Sequence, residues 1–161
     1  MKEGPQLLET CLEQLKKELK EFTDFFEQGY DYNIMIYALW DAKDILGHIT
    51  FWHESFARNL ADLANERTPN PLKGKLSAVN KLSVESTKAV PIPELIIRLQ
   101  QAQNTVEQYI YDEGIELIPY KKGSRDYSRS EHLQIVTNHI RKHLNDLNKQ
   151  YGKTKNQIGI T

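Results

Sequence analysis

The sequence predicts an all-α protein, a four-helix bundle with a long crossover between its second and third helices. Four segments carry apolar side chains at every third or fourth position, the period of one helix face. Residues that favour helix ends flank these segments. No stretch alternates between apolar and polar residues as a half-buried strand would. A chain of 161 residues is long enough to bury a core of its own, so one bundle domain is expected.

The first two helices are predicted over residues 5–28 and 41–65. Pro5 opens the first, because proline suits the first turn of a helix. Its apolar face is formed by Leu8, Leu12, Leu15, Leu19, Phe22 and Phe26. Asp41 is a favourable N-cap for the second helix, and Asp44 places a carboxylate in its first turn, where the helix dipole favours negative charge. The apolar face of the second helix comprises Ile45, Ile49, Trp52, Phe56, Leu60 and Leu63.

Residues 66–90 form the predicted crossover, which Pro69 and Pro71 interrupt near its start. The stretch "KLSAVNKLSVES" within it could form a short additional helix. A connection of this length allows the helices on either side of it to run parallel in the bundle.

The last two helices are predicted over residues 92–113 and 128–151. Prolines open the third helix, and its apolar positions are Leu95, Leu99, Ala102, Val106 and Ile110. Ser128 and Glu131 form a capping box at the start of the fourth helix, whose apolar positions are Leu133, Val136, Ile140, Leu144 and Leu147. Gly152 is the expected end, so the bundle domain is predicted over residues 1–152 and a flexible C-terminal tail over 153–161.

Charge and composition exclude several classes of partner. The chain has 21 basic and 22 acidic residues, a net charge of −1, with no basic cluster to attract nucleic acid. No apolar run approaches the roughly 20 residues that span a bilayer, and the N-terminus lacks the apolar region of a signal peptide. Cys11 is the single cysteine, which fits a reducing compartment. We therefore expect a cytoplasmic protein that binds neither nucleic acid nor membranes.

Three histidines form a candidate metal site. His139 and His143 lie one turn apart on the apolar face of the fourth helix, so both rings can reach one point. His48 lies on the core-facing side of the second helix, between Ile45 and Trp52. Three imidazoles suit Zn, Ni or a similar divalent ion and leave open coordination positions, as catalytic sites do. The alternative is three core histidines that each need only a hydrogen-bond partner.

The remaining histidines and several neighbours have secondary roles in this interpretation. His53 points about 140° away from His48, and His132 lies two turns below His139, so both are expected at the surface or in structural positions. Asp44 could orient the ring of His48. Three aromatic side chains could line the mouth of a pocket or anchor the core and loops instead, namely Trp52, Tyr120 and Tyr127.

Two segments carry a family resemblance. "WDAKDILGHITFWHE" resembles the second-helix signature of the DinB-like superfamily, and "NHIRKHLNDL" resembles its fourth-helix signature, with His139 and His143 at the paired ligand positions. The stretch "SAVNKLSVES" followed by "PIPELIIRL" resembles the crossover of the ClbS/DfsB-like branch, which often carries an asparagine like Asn80. The resemblance covers most of the chain, from the first helix to about residue 151.

This resemblance implies a bundle that is often homodimeric and a divalent-metal site on His48, His139 and His143. Members of the superfamily include isomerases and transferases that use low-molecular-weight thiols, and self-protection proteins that act on a reactive genotoxin, not always with a metal. Three hypotheses stay open at this point. The chain is a metal-dependent enzyme acting on a small reactive molecule, either a transferase or isomerase that uses a low-molecular-weight thiol or a hydrolase. Alternatively it is a protein that binds such a molecule without turnover, or an interaction module that forms a homodimer.

Overall fold

A computed structural model describes residues 4–157, and side chains are described as far as residue 153. The helices are α1 (Pro5–Phe25), α2 (Ala42–Ala64), α3 (Leu76–Glu85), α4 (Ile92–Tyr109) and α5 (Arg129–Gln157). Over this range the β-structure is limited to two isolated bridges, Met35 with Asp41 and Ile118 with Tyr127. The predicted all-α class is therefore confirmed. None of the helices described is long and apolar enough to cross a membrane.

The four long helices pack as two principal pairs around one core. Helix α2 packs chiefly against α4, α1 packs chiefly against α5, and α3 lies on α2. Burying a leucine or isoleucine side chain contributes about 1.5–3 kcal/mol, and the apolar faces predicted above supply most of this core. Cys11 is part of it, with 2% of its surface exposed. The largest fully buried side chains include Phe22, Leu15, Ile45, Leu46, Leu60, Leu95, Leu99, Ile110 and Leu133.

Side-chain caps fix where α2 and α5 begin. The Asp41 carboxylate accepts a hydrogen bond from the Asp44 backbone N–H at 2.8 Å, and the Asp44 carboxylate accepts one from the Asp41 N–H at 3.0 Å. The same reciprocal arrangement joins Ser128 and Glu131 at 3.0 and 3.3 Å. These caps satisfy backbone donors that the first turn leaves unpaired. They also set the register that carries His48 two turns into α2.

Helices α1 and α4 end earlier than the sequence pattern predicts, at points where another side chain contacts the helix end. Helix α1 ends at Phe25, whose carbonyl accepts a hydrogen bond from the Tyr32 hydroxyl at 2.6 Å. Helix α4 ends at Tyr109, and the next carbonyl, that of Ile110, accepts a hydrogen bond from the Arg129 guanidinium at 2.9 Å. In both cases a distant side chain satisfies a carbonyl that the helix leaves unpaired.

The predicted end of the last helix, at residue 151, is wrong. Helix α5 continues through Gly152 to Gln157, because a glycine inside a helix costs only about 1 kcal/mol and does not by itself end it. The first part of the predicted tail, residues 153–157, is therefore helical in its backbone. Residues 158–161 lie outside the described residues.

The crossover helix approaches α2 at a glycine. A Cβ atom placed on Gly47 would lie 2.0 Å from Oγ1 and 2.8 Å from Cβ of Thr87, just after α3. Only a residue without a side chain allows this separation, since real Cβ contacts are not shorter than 3.0 Å. The predicted short helix in the crossover is confirmed, and the contact at Gly47 holds it against the turn of α2 that carries His48.

Candidate metal centre

The structure brings together the three histidines that the sequence analysis singled out. The Nε2 atom of His139 lies 3.2 Å from Nε2 of His48 and 3.0 Å from Nε2 of His143. One ring nitrogen from each of the three residues lies within 4.8 Å of the other two. His48 and His143 are buried and His139 is partly exposed, so α2 and α5 form a centre with access from one side. Among the histidine, cysteine and carboxylate residues with described side chains, these three form a group whose ligand atoms are close enough together to hold an ion.

A hydrogen bond from the crossover helix fixes the tautomer of His48. Its Nδ1 atom lies 2.9 Å from the hydroxyl oxygen of Ser83. That hydroxyl donates its own proton to the carbonyl of Asn80 at 2.6 Å, so it can only accept from His48. The proton of the neutral ring is therefore on Nδ1, and the Nε2 lone pair points at the other two histidines.

A tyrosine and a carboxylate fix the tautomer of His143 in the same way. Nδ1 of His143 lies 2.8 Å from the Tyr37 hydroxyl oxygen, which donates to the Asp146 carboxylate at 2.5 Å. The hydrogen bond from Tyr37 lowers the pKa of Asp146, so this carboxyl is ionised and only accepts at neutral pH. Tyr37 must accept from Nδ1 of His143, which again leaves the Nε2 lone pair directed at the centre.

The arrangement of the three Nε2 atoms suits the binding of a cation better than it suits hydrogen bonding among the three rings. His139 carries a single ring proton when neutral, so at most one of its two contacts below 3.3 Å can be an ordinary hydrogen bond. If that proton is on Nε2, the second lone pair has no proton of its own to accept; if it is on Nδ1, lone pairs face each other in both contacts. Nitrogen ligands about 2.0–2.1 Å from a tetrahedral ion lie roughly 3.4 Å apart, close to the separations seen here. The donor set and its orientation therefore fit a divalent ion.

Burial keeps all three rings in the form that binds a metal. Desolvation lowers the pKa of His48 to about 2, that of His139 to about 4 and that of His143 to about 3. The charge of Lys142 acts in the same direction on each of the three. At neutral pH the imidazoles are uncharged, and an uncharged imidazole has the lone pair that a metal ion needs.

Asp44 does not orient His48, contrary to one expectation from the sequence. Its carboxylate caps α2 at Asp41 and pairs with the Lys88 ammonium at 3.1 Å, while Ser83 occupies the position beside the His48 ring. The Asp44 side chain projects towards the helix start, where the dipole and the cap hold it.

The three predicted aromatic residues contact one another in series, Trp52 with Tyr120 and Tyr120 with Tyr127. The Trp52 indole donates to the Asn80 side chain at 3.0 Å and stacks on Tyr120, with ring centres 5.0 Å apart. Tyr127 meets Tyr120 edge-on, and the backbones of Tyr127 and Ile118 pair in both directions. Trp52 and Tyr120 line a pocket, whereas Tyr127 is not among its lining residues and packs on Tyr120. The pocket interpretation therefore fits Trp52 and Tyr120, and the anchoring interpretation fits Tyr127.

His53 and His132 are buried, each with 2% of its surface exposed, so the surface alternative for them is wrong. Both line the pocket next to the metal centre, together with His139. The space enclosed in this pocket is about 20 Å³, and its mouth opens to solvent. Neither ring belongs to the group that could hold an ion, in line with the helix geometry.

Sequence reasoning missed the residues that orient the ligands. Ser83 and Tyr37 are distant from the histidines in the chain, and no local pattern connects them. Asp146 lies three residues after His143, so the two share a helix face. The sequence shows this spacing but predicts only a solvated carboxylate at Asp146, whereas the structure pairs it with Tyr37.

The fold and the site together define a class, an all-α helical bundle with a three-histidine candidate metal centre. Two solved structures share the fold, the mycothiol-dependent maleylpyruvate isomerase and a histidine-to-alanine mutant of that isomerase, with TM-scores of 0.70 and 0.67. Each is 11% identical to this chain and matches 87% of it. This chain spans 60% of their length. No family model and no curated protein matches the sequence. At this identity the neighbours show the fold alone, and the resemblance to the DinB-like superfamily and its ClbS/DfsB-like branch stays a prediction from the sequence.

Proposed function

We propose that the chain is a metal-dependent enzyme that binds one divalent ion through Nε2 of His48, His139 and His143. The observation that carries this proposal is the convergence of three Nε2 atoms whose Nδ1 partners, where the structure describes them, force the lone pairs inward. A set of three structural histidines would need a hydrogen-bond partner for each nitrogen, and among the described residues the Nε2 atoms have only one another.

The reaction class we propose is a thiol-dependent isomerisation or transfer on a small reactive molecule. A divalent ion held by three imidazoles keeps open positions and acts there as a Lewis acid towards a thiolate, a water or a carbonyl oxygen. Support for a low-molecular-weight thiol comes from the shared fold with an isomerase described as mycothiol-dependent. The aromatic and aliphatic walls of the adjacent pocket would hold the body of the substrate and exclude water.

Metal binding is tested by chelation and reloading. We expect the purified chain, stripped with a chelator, to take up about one zinc or nickel ion, as measured by titration calorimetry and elemental analysis. His48→Ala and His143→Ala should lose stoichiometric binding and keep their helical circular dichroism, because the bundle has a separate apolar core. His53→Leu is the matched control on the same helix and should bind the metal as the wild type does.

Catalysis is tested on the loaded protein with a panel of low-molecular-weight thiols and a small electrophile such as 1-chloro-2,4-dinitrobenzene, and with maleylpyruvate, the substrate named for the structural neighbours. A rate above the uncatalysed one that needs both metal and thiol, and is lost in His139→Ala, supports the enzyme. Tight metal binding without turnover would instead favour a protein that sequesters a reactive molecule.

A homodimer and a cytoplasmic location stay predictions from the sequence. Sedimentation at micromolar concentration tests the dimer, and a monomer there would contradict it. Fractionation of cells that express the chain tests the location.

A further inference from the structure

His132 is a buried polar side chain whose ring nitrogens form no hydrogen bond to another residue in the described part of the chain. It has 2% of its surface exposed, and neither Nδ1 nor Nε2 finds a donor or acceptor in the described part of the chain. Its ring stacks on Phe56, with ring centres 4.1 Å apart and planes 11° apart. Stacking explains the ring's position but not its two nitrogens, since a phenylalanine would stack equally well without a desolvation cost.

A second histidine offers one more polar atom to the same pocket. His53 is 2% exposed, and its Nε2 bonds to the Gln103 side chain at 2.8 Å, while its Nδ1 has no partner among the described residues. His53 and His132 lie on α2 and α5, and both line the pocket that also reaches His139. Two helices thus each place a histidine with an unpaired ring nitrogen in the lining of one pocket.

The rest of the pocket is mainly apolar and carries no ionic side chain, with Ser55 and Asn59 as further polar lining residues. Its walls are mainly aliphatic and aromatic, with Ile49, Phe56 and Ile140 near the core and Trp52 and Tyr120 on one side. The lining contains no lysine, arginine, aspartate or glutamate. An apolar cavity with a few converging polar groups is the usual form of a small-molecule site.

We propose that this pocket is a substrate subsite for a small, uncharged and largely apolar molecule that carries a hydroxyl or carbonyl group. That group hydrogen-bonds to His132. A hydroxyl group, which can both donate and accept, also hydrogen-bonds to His53. The inference deepens the proposed function, because the pocket reaches His139. It rests on the proposed function only for the chemistry at the end of the pocket that faces the metal centre.

The preference for an uncharged group follows from the surroundings. Burial lowers the pKa of both His53 and His132 to about 4, so neither ring is a cation at neutral pH. A carboxylate or ammonium placed there would lose its hydration without gaining an opposite charge. A neutral imidazole can both donate and accept, which matches a hydroxyl group and, through its N–H, a carbonyl.

The test uses the full chain, with and without zinc, and three probes of similar size, namely phenol, fluorobenzene and benzoate. Phenol presents a hydroxyl, fluorobenzene lacks it and benzoate is charged. We expect zinc-free protein to bind phenol about tenfold more tightly than fluorobenzene, the effect of one good hydrogen bond. Benzoate should bind more weakly than phenol. Ring-nitrogen NMR should show that phenol shifts the signals of His132 and leaves those of His48 in place.

His132→Phe keeps the stack on Phe56 and removes both nitrogens. In this variant we expect phenol to lose its advantage over fluorobenzene while zinc stoichiometry is unchanged. The proposal is overturned if wild-type protein binds phenol and fluorobenzene equally, prefers benzoate, or binds none of them, in which case the enclosed 20 Å³ holds a water at most. Unshifted His132 signals would overturn it too, even if the variant failed to fold. If the protein prefers phenol but binds no zinc, the proposed function is refuted and the inference about the pocket stands.

Discussion

Ser83 and His48 are joined by a 2.9 Å hydrogen bond between the Ser83 hydroxyl oxygen and Nδ1 of His48. The bond links the crossover helix to the candidate metal centre, across 35 positions of the chain. It selects the tautomer with its proton on Nδ1, and it holds the ring with Nε2 towards His139. The crossover is therefore part of the site's support as well as a connection between helices.

Ser83→Ala should weaken metal binding by about 10- to 100-fold, the usual effect of losing a group that orients a ligand histidine. Without the hydroxyl, the His48 ring gains access to the other tautomer, in which Nε2 carries the proton. Competitive zinc titration measures the change. Ser86→Ala is the matched control, because Ser86 is exposed at the end of the same helix, and it should leave the affinity unaltered.

Tyr37→Phe should lower zinc affinity by a similar factor, because it removes the acceptor for Nδ1 of His143. It should also raise the pKa of Asp146 towards the ordinary aspartate value, since the hydrogen bond from Tyr37 is the main cause of the lowered pKa. Carboxyl NMR titration of the zinc-free protein follows Asp146 directly. Tyr111→Phe, at a largely exposed tyrosine, is the control. An unchanged Asp146 titration would show that the Tyr37 contact does not form.

Gly47→Ala should destabilise the fold and weaken zinc binding together. The new Cβ would meet Thr87 at 2.0 Å, so the end of α3 must move away from α2 and take Ser83 with it. We expect a loss of about 1–3 kcal/mol in the free energy of unfolding, the usual effect of overpacking. Thermal melting and zinc titration measure the two effects, and adding Thr87→Gly should restore part of both.

The control for this prediction is Gly152→Ala on α5, where a Cβ meets nothing within 4 Å. Alanine favours a helix over glycine by up to about 1 kcal/mol, so this variant should be as stable as the wild type or slightly more so. If Gly47→Ala behaved like Gly152→Ala, the close approach of α3 would not position Ser83.

The zinc-free protein should lose stability as the pH falls from about 6.5 towards 4. Burial lowers the pKa of His53 and His132 to about 4, below the value near 6.5 of an unfolded histidine. The unfolded state therefore binds more protons in this window, and the stability present above pH 6.5 is lost on acidification. Each ring accounts for up to about 3 kcal/mol once both states are compared below pH 4.

Urea unfolding at several pH values between 7.5 and 4.5 measures this loss. His132→Phe removes one of the contributing groups, so its stability should fall less steeply over the same range. Equal slopes for the variant and the wild type would mean that His132 already takes up a proton in the folded protein.

Much of the fold and part of the site were predictable because they depend on local periodicity. Apolar residues at every third or fourth position identify a helix face wherever that face packs, and the caps at Asp41 and Ser128 act within one turn. The pairing of His139 with His143 is visible for the same reason, since four residues make about one turn of a helix. The placement of His48 on a core-facing stripe follows from that periodicity as well.

Helix ends and ligand orientation were decided by tertiary contacts. Helix α1 ends where Tyr32 reaches the carbonyl of Phe25, and the tautomer of His48 depends on a serine from another helix. The sequence placed His132 outside the metal site by its distance along α5, but it could not show that Phe56 of α2 would cover the ring. Spacing along a chain determines which side chains share a face. Which groups from other helices meet that face depends on how the helices pack, and only the tertiary structure decides this.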